Sequence, residues 1–229
     1  MTDDVRAHYT YIRRRGRMTA AQHRALNEAL EHFQVSASDI ESYAQQASGL
    51  GVEIGFGMGD ALVQWAFDQP QWHFVGIDLY LPGVGSLINQ LQHHEAVNVS
   101  IITEPAQEVF AQLSDSLIDE VRVLFPDPWP KKRHFKRRLI QSDFVSDIAR
   151  ALKPGGRLVI ATDWTPYAQW IREIVDSEVR LELTDDQIRA GSAPSIRDRA
   201  TKFEQRGERL GHLIHDLTYR KNSATTESR

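Results

Sequence analysis

From residue 50 onward, short β-branched or apolar runs alternate with amphipathic segments of helix length. The runs have strand length and lie near Leu50–Gly55, His73–Asp78, Val99–Thr103, Val121–Phe125 and Arg157–Thr162. The segments between and after them have helical periodicity and lie near Gly59–Asp68, Gly83–His94, Ala106–Leu113, Lys136–Leu152 and Pro166–Ser177. Such alternation is typical of βαβ units, in which helices cover both faces of a parallel sheet. The sequence therefore predicts an α/β fold with a doubly wound, mostly parallel sheet.

The two ends of the chain depart from this alternation. Arg180–Leu183 and Leu213–Tyr219 are both strand-like, and we expect them to close the sheet as an antiparallel pair. Residues 1–48 are helical in pattern and carry a basic cluster, so they are predicted to form an appended N-terminal extension. The main domain is then 49–221, followed by a polar tail, 222–229, that is expected to be frayed.

Composition excludes several classes of protein. The 229 residues include no cysteine, which removes disulfides, iron–sulfur clusters, thiolate zinc sites and cysteine nucleophiles. No apolar run reaches the 18 or so residues that span a bilayer, and the N-terminus lacks the apolar segment of a secretion signal. We therefore expect a cytoplasmic protein that uses neither a membrane nor a metal.

The charge is unevenly distributed along the chain. The net charge is −4, yet the run from Lys131 to Arg138 contains cations and no anion, and a second basic cluster spans Arg13–Arg17. Concentrated cations on an otherwise acidic protein favour a localised anionic partner such as a nucleic acid.

A glycine-rich loop lies where the first strand meets the first helix of the alternating region. It follows Glu53 and contains Gly55, Gly57 and Gly59. Glycine allows positive φ and a close approach of ligand to backbone, so the loop predicts a cofactor crevice. A dinucleotide fingerprint would need glycine where Asp60 stands. An acid two residues before Gly-x-Gly-x-Gly instead resembles the S-adenosylmethionine loop of class I methyltransferases. Of the functions considered, an NAD-dependent dehydrogenase is therefore the least favoured.

Acidic residues follow the next two predicted strands. Asp78 ends the second strand and is suited to accept hydrogen bonds from both hydroxyls of a ribose. NAD enzymes use the same arrangement, so Asp78 alone does not distinguish the cofactors. Glu104, just after the third strand, is placed to face an adenine amino group.

A proline-rich segment follows the fourth predicted strand. Pro126, Pro128 and Pro130 restrict the backbone around Asp127 and Trp129, and they keep Asp127 out of a helix. Catalytic groups collect at this edge of such sheets. Trp129 offers a face on which a base can stack, and the cations that follow it are suited to grip phosphates.

Several long motifs together resemble the bacterial tRNA (guanine-N7-)-methyltransferase family. They are VEIGFGMGD, FVGIDLYLPGVG, FPDPWPKKRHFKRR, ATDWTPYA and TKFEQRGERLGH, with YIRRRGRMT extending the resemblance toward the N-terminus. The resemblance implies a class I, Rossmann-like methyltransferase fold, S-adenosylmethionine as the methyl donor, and a guanosine in the variable loop of tRNA as the acceptor. It implies no obligate protein partner and a monomer or homodimer.

The resemblance also implies roles for individual residues. Cofactor contacts fall on the glycine loop and on four acids: Glu53, Asp78, Glu104 (or the neighbouring Pro105 position) and Asp127. Asp127 is also implied as the catalytic residue. Substrate contacts fall on Lys131, Asp163, Thr201, Lys202, Phe203 and Glu204. RNA contacts fall on Arg133, His134, Phe135, Lys136, Arg137 and Arg138.

The chemistry of guanine fits these residue types. N7 carries a lone pair and no proton at neutral pH, so its methylation needs positioning and no general base. Asp127 can stabilise the positive charge that develops on the purine, while Asp163 and Glu204 can accept hydrogen bonds from guanine N1–H and the amino group. Two other functions stay open: an exocyclic amino-group methyltransferase, because Asp127-Pro128-Trp129 resembles the Asp-Pro-Pro-aromatic site, and an RNA-binding module without activity.

Overall fold

A computed structural model of the chain describes residues 16–189 and 213–223. The strands of this part are β1 (Leu50–Ile54), β2 (His73–Ile77), β3 (Val99–Ile102), β4 (Ile118–Leu124), β5 (Leu152–Thr162), β6 (Leu181–Arg189) and β7 (Ile214–Lys221). Across these described residues they form one seven-stranded sheet in the order β3-β2-β1-β4-β5-β7-β6. Strands β1 to β5 are parallel, and β7 is antiparallel to both β5 and β6. The predicted mostly parallel sheet with an antiparallel C-terminal pair is confirmed.

The helices connect these strands or precede them. They are α1 (Ala20–Glu28), α2 (Leu30–Phe33), α3 (Ile40–Gln46), α4 (Asp60–Asp68), α5 (Leu81–His93), α6 (Ala106–Gln112), α7 (Ser142–Ala151) and α8 (Thr165–Asp176). Short 3-10 helices span Ala37–Asp39 and Lys132–Arg137. Helix α1 begins at a capping box between Thr19 and Gln22, and α5 and α8 each begin with a proline in the first turn. These are the local signals that start helices. Within residues 16–189 and 213–223, no helix has the length and the apolar composition of a membrane span.

Apolar side chains of the described residues pack on both faces of the sheet. One face carries α3, α6, α7 and α8, and its buried side chains include Val75 and Ile77 of β2. The other face carries α1, α4 and α5, against which Phe74 of the same strand packs. Successive side chains of a strand point to opposite faces, so the continuous apolar run of β2 serves two cores.

The start of α7 differs from the sequence prediction. A helix was expected over Lys136–Leu152, whereas α7 begins at Ser142 and an extended link precedes it. The main chain of Ile140 in this link is bound by side chains of α8: its N–H donates to the Tyr167 hydroxyl at 3.4 Å, and its carbonyl accepts from Trp170 Nε1 at 2.9 Å. These tertiary hydrogen bonds replace the helical ones that local propensity favours.

The C-terminal strands also extend beyond their predicted bounds. Strand β5 begins at Leu152 and includes Lys153–Gly156, where a turn was expected. Strand β6 continues to Arg189 because it pairs with β7 along its whole length, despite a register shift between Leu183 and Asp185. Pairing with a distant partner supplies hydrogen bonds that a local pattern does not reveal.

Candidate active site

The predicted site residues follow the carboxyl ends of adjacent parallel strands. Ile54 at the end of β1 pairs with Ile77 of β2 on one side and with Val123 of β4 on the other, and Leu124 pairs with Ala161 of β5. The loops that leave these strands therefore share one edge of the sheet. The strand order reverses between β1 and β4, which is where ligands bind in open α/β sheets.

The glycine loop after β1 is shaped by three left-handed residues. Gly55, Gly57 and Gly59 have φ values of 75°, 58° and 91°, a region that other residues rarely adopt. The N–H of Gly55 donates to Ile77 O at 2.8 Å, which ties the loop to β2. A β-carbon built on Gly55 would meet no atom within 4 Å, so the outer side of the loop is open. This leaves space for a ligand to approach the backbone closely.

Asp78 joins the glycine loop to the turn after β2. One carboxylate oxygen, Oδ2, accepts the Gly57 N–H at 2.9 Å, and the other, Oδ1, accepts the Tyr80 N–H at 2.9 Å. These two hydrogen bonds hold the carboxylate in a fixed orientation beside the glycine loop.

The other predicted cofactor acids lie at different depths. Glu53 is 2% exposed near the end of β1, between Gly76 of β2 and Arg122 of β4 in the strand register. Glu104 is exposed and follows β3, the outer strand of this side of the sheet. This set of groups fits S-adenosylmethionine. The oriented acid suits its ribose, the buried acid suits its cationic methionine end, the exposed acid suits its adenine, and the open glycine loop leaves room for the ligand.

The loop that carries Asp127 has an unusual backbone. Phe125 and Trp129 have φ values of 53° and 40°, which are left-handed conformations in non-glycine residues. Each costs about 1 to 3 kcal/mol and persists only when its surroundings impose it. The N–H of Phe125 donates to Ala161 O at 2.8 Å, which anchors the loop to β5. Asp127, whose side chain is exposed, therefore lies between two residues with strained backbones, Phe125 and Trp129.

Tyr167 of α8 is linked to this loop through Arg138, whose guanidinium lies 5.0 Å from the centroid of the Tyr167 ring and whose Nε donates to Pro128 O. Its side chain is fully buried, and burial raises the pKa of its hydroxyl, with the charge of Asp127 adding to the increase. Tyr167 therefore stays neutral at physiological pH.

The basic segment after the loop forms an exposed positive surface. Lys131, Lys132, Arg133 and Lys136 are all exposed. His134 lies edge-on to Trp129, with ring centroids 5.7 Å apart, and the guanidinium of Arg137 lies 5.2 Å from the same indole ring. Desolvation and the charges of Arg137, Arg133 and Lys131 lower the pKa of His134. The positive charge at neutral pH therefore comes from the lysines and arginines.

Arg138 does not belong to this surface. The sequence groups it with the RNA contacts, whereas in the structure its side chain is 2% exposed. Its guanidinium lies 3.6 Å from the ring centroid of Phe135 and 5.0 Å from those of Tyr167 and Trp170. A side chain enclosed in this way does not contribute to the exposed positive surface. The sequence predicted the positive charge of this segment but not the direction in which the Arg138 side chain points.

Of the remaining predicted substrate residues, the structure describes only Asp163. Asp163 directly follows β5 and is half-buried, and next to it Trp164 is 40% exposed, with its N–H donating to Thr162 Oγ1 at 3.3 Å. Thr201, Lys202, Phe203 and Glu204 lie outside the described residues, as do Arg13, Arg14 and Arg15 of the N-terminal basic cluster.

Two residues of the site were not predicted from the sequence. The main-chain N–H of Tyr80 helps orient Asp78, and Gly83 lets α5 approach the glycine loop: a β-carbon at Gly83 would lie 1.9 Å from Gly57 O. A glycine inside a helix is unfavourable by about 1 kcal/mol relative to alanine. The glycines of the LPGVG motif were therefore an available signal of close packing.

Among the described residues, no group of three or more histidine, aspartate or glutamate side chains is arranged to hold a metal ion.

The fold is shared with solved methyltransferase structures. The structure of an antibiotic-related methyltransferase has a TM-score of 0.60 with 14% identity, covering 81% of this chain and 94% of that chain. A mutant 16S rRNA (adenine(1408)-N(1))-methyltransferase from Catenulisporales acidiphilia with its cosubstrate SAM has a TM-score of 0.59 with 17% identity, covering 85% and 95%. These similarities establish a class I methyltransferase fold.

Sequence comparisons identify the family. Residues 47–217 match the family described as "Putative methyltransferase". The tRNA (guanine-N(7)-)-methyltransferase of Methylobacillus flagellatus is 41% identical over 218 residues, which is 93% of this chain and 90% of that protein. The protein of the same name from Legionella pneumophila is 37% identical over 228 residues, which is 96% of this chain and 95% of that protein. This chain therefore belongs to the bacterial tRNA (guanine-N7-)-methyltransferase family.

Proposed function

We propose that this protein transfers the methyl group of S-adenosylmethionine to N7 of a guanosine in the variable loop of tRNA. The observation that carries the proposal is the common sheet edge: the Asp127 loop, the Asp78 carboxylate and the open glycine loop all leave adjacent parallel strands there. The exposed basic segment follows the same loop. Curated relatives that are 37% to 43% identical over at least 93% of this chain carry the name of this activity.

The cofactor site uses the residues at the ends of β1, β2 and β3. When bound, S-adenosylmethionine supplies an electrophilic methyl group. Asp78 accepts the ribose hydroxyls, since its carboxylate is oriented by the N–H groups of Gly57 and Tyr80. Glu53 contributes negative charge toward the cationic methionine end, and Glu104 faces the adenine. Gly55 lets the backbone approach without a side chain in the way.

The acceptor site uses the ends of β4 and β5. Because N7 already has a free lone pair, the protein does not need to remove a proton from it; it needs to hold the base in line with the methyl group. Asp127 stabilises the positive charge that builds on the purine ring. Asp163 and Lys131 contact the guanosine, and Asp163 accepts hydrogen bonds from its N1–H and amino group, which adenine does not offer on that edge.

The basic segment positions the polynucleotide. Lys132, Arg133 and Lys136 are exposed and separated from the Asp127 loop by only a few residues, so they can bind phosphates on either side of an inserted base. The indole of Trp129 offers a face for stacking. These contacts fix the register of the RNA, while the groups around Asp127 and Asp163 select the base.

The decisive experiment is to incubate the purified protein with labelled S-adenosylmethionine and an unmodified tRNA transcript, then digest the RNA and identify the labelled nucleoside. We expect 7-methylguanosine, mapped to the variable loop. A matched transcript with 7-deazaguanosine at that position keeps every other hydrogen-bonding group and lacks the N7 acceptor, so it should bind but not be labelled.

Two outcomes would favour the alternatives. Labelled N6-methyladenosine would identify an amino-group methyltransferase. Tight tRNA binding together with no binding of S-adenosylmethionine in a calorimetric titration would identify an RNA-binding module without activity.

A further inference from the structure

We propose that Arg138 is a positioning residue, which holds the Asp127 loop in its active shape by bridging it to the basic segment and to α8. The inference rests on the proposed function, because it concerns the loop that carries the catalytic acid. It gives a different role to a residue for which the family resemblance implied an RNA contact.

The first contact of Arg138 is with the Asp127 loop itself. Its Nε donates a hydrogen bond to the carbonyl oxygen of Pro128 at 3.0 Å. Pro128 directly follows Asp127 and directly precedes Trp129, whose backbone is left-handed. Arg138 is 2% exposed, and the hydrogen bond is partly buried. A hydrogen bond from a charged donor is stronger than one between neutral groups.

The second set of contacts joins the guanidinium to two other parts of the chain. The ring of Phe135, in the basic segment, lies 3.6 Å from it, and the rings of Tyr167 and Trp170, both on α8, lie 5.0 Å from it. Cation–π contacts within about 6 Å of a ring centroid are attractive, and more so when they are desolvated. The guanidinium therefore packs at the junction of the loop, the basic segment and α8.

The walls of this aromatic enclosure are themselves fixed. Trp170 Nε1 donates to Ile140 O at 2.9 Å, and the Tyr167 hydroxyl accepts from the Ile140 N–H. The Gln141 side chain donates to the carbonyls of Phe135 and Arg138 at 2.8 and 3.2 Å. The chain immediately after Arg138 is thus held to α8 and to the basic segment. Because this part of the chain is fixed, the hydrogen bond from Arg138 to Pro128 O can hold the Asp127 loop in place.

A strained loop makes such a support necessary. Phe125 and Trp129 persist in unfavourable conformations only if surrounding contacts impose them. The Arg138 hydrogen bond to Pro128 is one such contact, and without it the loop can relax and carry Asp127 away from its position. A displacement of about 1 Å in a catalytic group can cost about 100-fold in rate.

The test is the Arg138→Lys variant, which keeps the charge but loses the Nε donor and the planar group that stacks on the rings. In steady-state methylation of tRNA, we expect kcat to fall at least about tenfold, because Asp127 is misplaced. The KM for tRNA and the dissociation constant for S-adenosylmethionine should stay within about threefold, and the salt dependence of tRNA binding should not change, because Arg138 contacts no phosphate.

The matched control is Arg150→Lys. The Arg150 guanidinium also holds a main-chain carbonyl, donating to Phe110 O at 2.7 Å, but it lies on α7 away from the site. This variant should lose stability without a change in kcat. If Arg138→Lys does not fold, Trp170→Phe weakens the same enclosure while keeping an aromatic ring, and it should lower kcat with an unchanged KM for tRNA.

Three results would overturn the inference: an unchanged kcat in Arg138→Lys, an increased KM with a smaller salt slope, or a loss of kcat in Arg150→Lys equal to that in Arg138→Lys. Failure of the proposed function would look different, since the wild-type protein itself would then form no 7-methylguanosine.

Discussion

The carbonyl oxygen of Gly57 occupies the space that a side chain at Gly83 would need, since a β-carbon built on Gly83 would lie 1.9 Å from it. The first turn of α5 is therefore packed directly against the backbone of the glycine loop. The same loop residue donates its N–H to Asp78. The shape of the predicted cofactor crevice therefore depends on the absence of a side chain at Gly83 of α5.

We expect Gly83→Ala to impair cofactor binding as well as folding. The added methyl group must push α5 away from Gly57, and overpacking of this kind costs about 1 to 3 kcal/mol of unfolding free energy. Because the added methyl group also displaces the glycine loop, the affinity for S-adenosylmethionine should fall at least about tenfold, which corresponds to about 1.4 kcal/mol. Urea denaturation and a calorimetric titration measure the two effects.

Gly155→Ala is the matched control for this variant. Gly155 has a φ of 77° and no atom within 4 Å of its built β-carbon, so alanine adds backbone strain without overpacking. It should cost about 1 to 2 kcal/mol of stability and leave cofactor affinity unchanged. Wild-type cofactor affinity in Gly83→Ala would show that the loop tolerates displacement.

Asp127→Asn should lower kcat for tRNA methylation by about 100-fold. The amide has the size of the carboxylate but cannot stabilise the positive charge that develops on the purine, and removing one electrostatic group from an active site has effects of this order. Single-turnover assays with saturating tRNA and cofactor measure the chemical step. Glu173→Gln, at an exposed position of α8, removes a carboxylate elsewhere and should have no effect. Unaltered turnover in Asp127→Asn would rule out the electrostatic role.

Removing single cations from the basic segment should reduce the salt dependence of tRNA binding. For Lys132→Ala and Lys136→Ala, both exposed, the slope of log K against log salt should decrease in magnitude by about 0.7 to 0.9 for each phosphate that the variant no longer neutralises. The affinity for S-adenosylmethionine should not change. Arg220→Ala removes an exposed cation of β7 and serves as the control. An unchanged slope in both lysine variants, measured by filter binding, would place the RNA on another surface.

The stability of the protein should depend on His73 below pH 6.5. This side chain is stacked on Tyr43, with ring centroids 3.8 Å apart, and its Nε2 is 3.0 Å from Ser100 Oγ. Burial lowers the pKa of His73 to about 4. Between that value and the unfolded pKa of about 6.5, the unfolded chain binds the proton more readily, so stability falls as the pH decreases through this window.

His73→Phe keeps a stacked ring and removes the titrating group. After allowance for the partial exposure of His73, we expect the wild-type protein to lose about 1 to 2 kcal/mol more than the variant between pH 7 and pH 4.5. Urea denaturation at the two pH values gives the comparison. Equal losses in the two proteins would show that His73 becomes protonated in the folded state without cost.

The periodicity of the sequence determined the parallel sheet and the edge at which the site lies. Apolar runs at strand length, separated by amphipathic helices, leave little choice other than a doubly wound sheet. Parallel strands all present their carboxyl ends to one edge, so Gly55, Asp78 and Asp127 could be placed together without a structure. The long motifs then identified the family, which the relatives confirm.

Only the tertiary structure decided which way Arg138 points and where α7 begins. Both depend on Tyr167 and Trp170, which lie about thirty residues further along the chain from the segment that they hold. Local sequence gives the charge of an arginine and the helical propensity of its neighbours. Whether the guanidinium meets water or three aromatic rings is set by how α8 packs against the segment, and the burial of Arg138 follows from that packing.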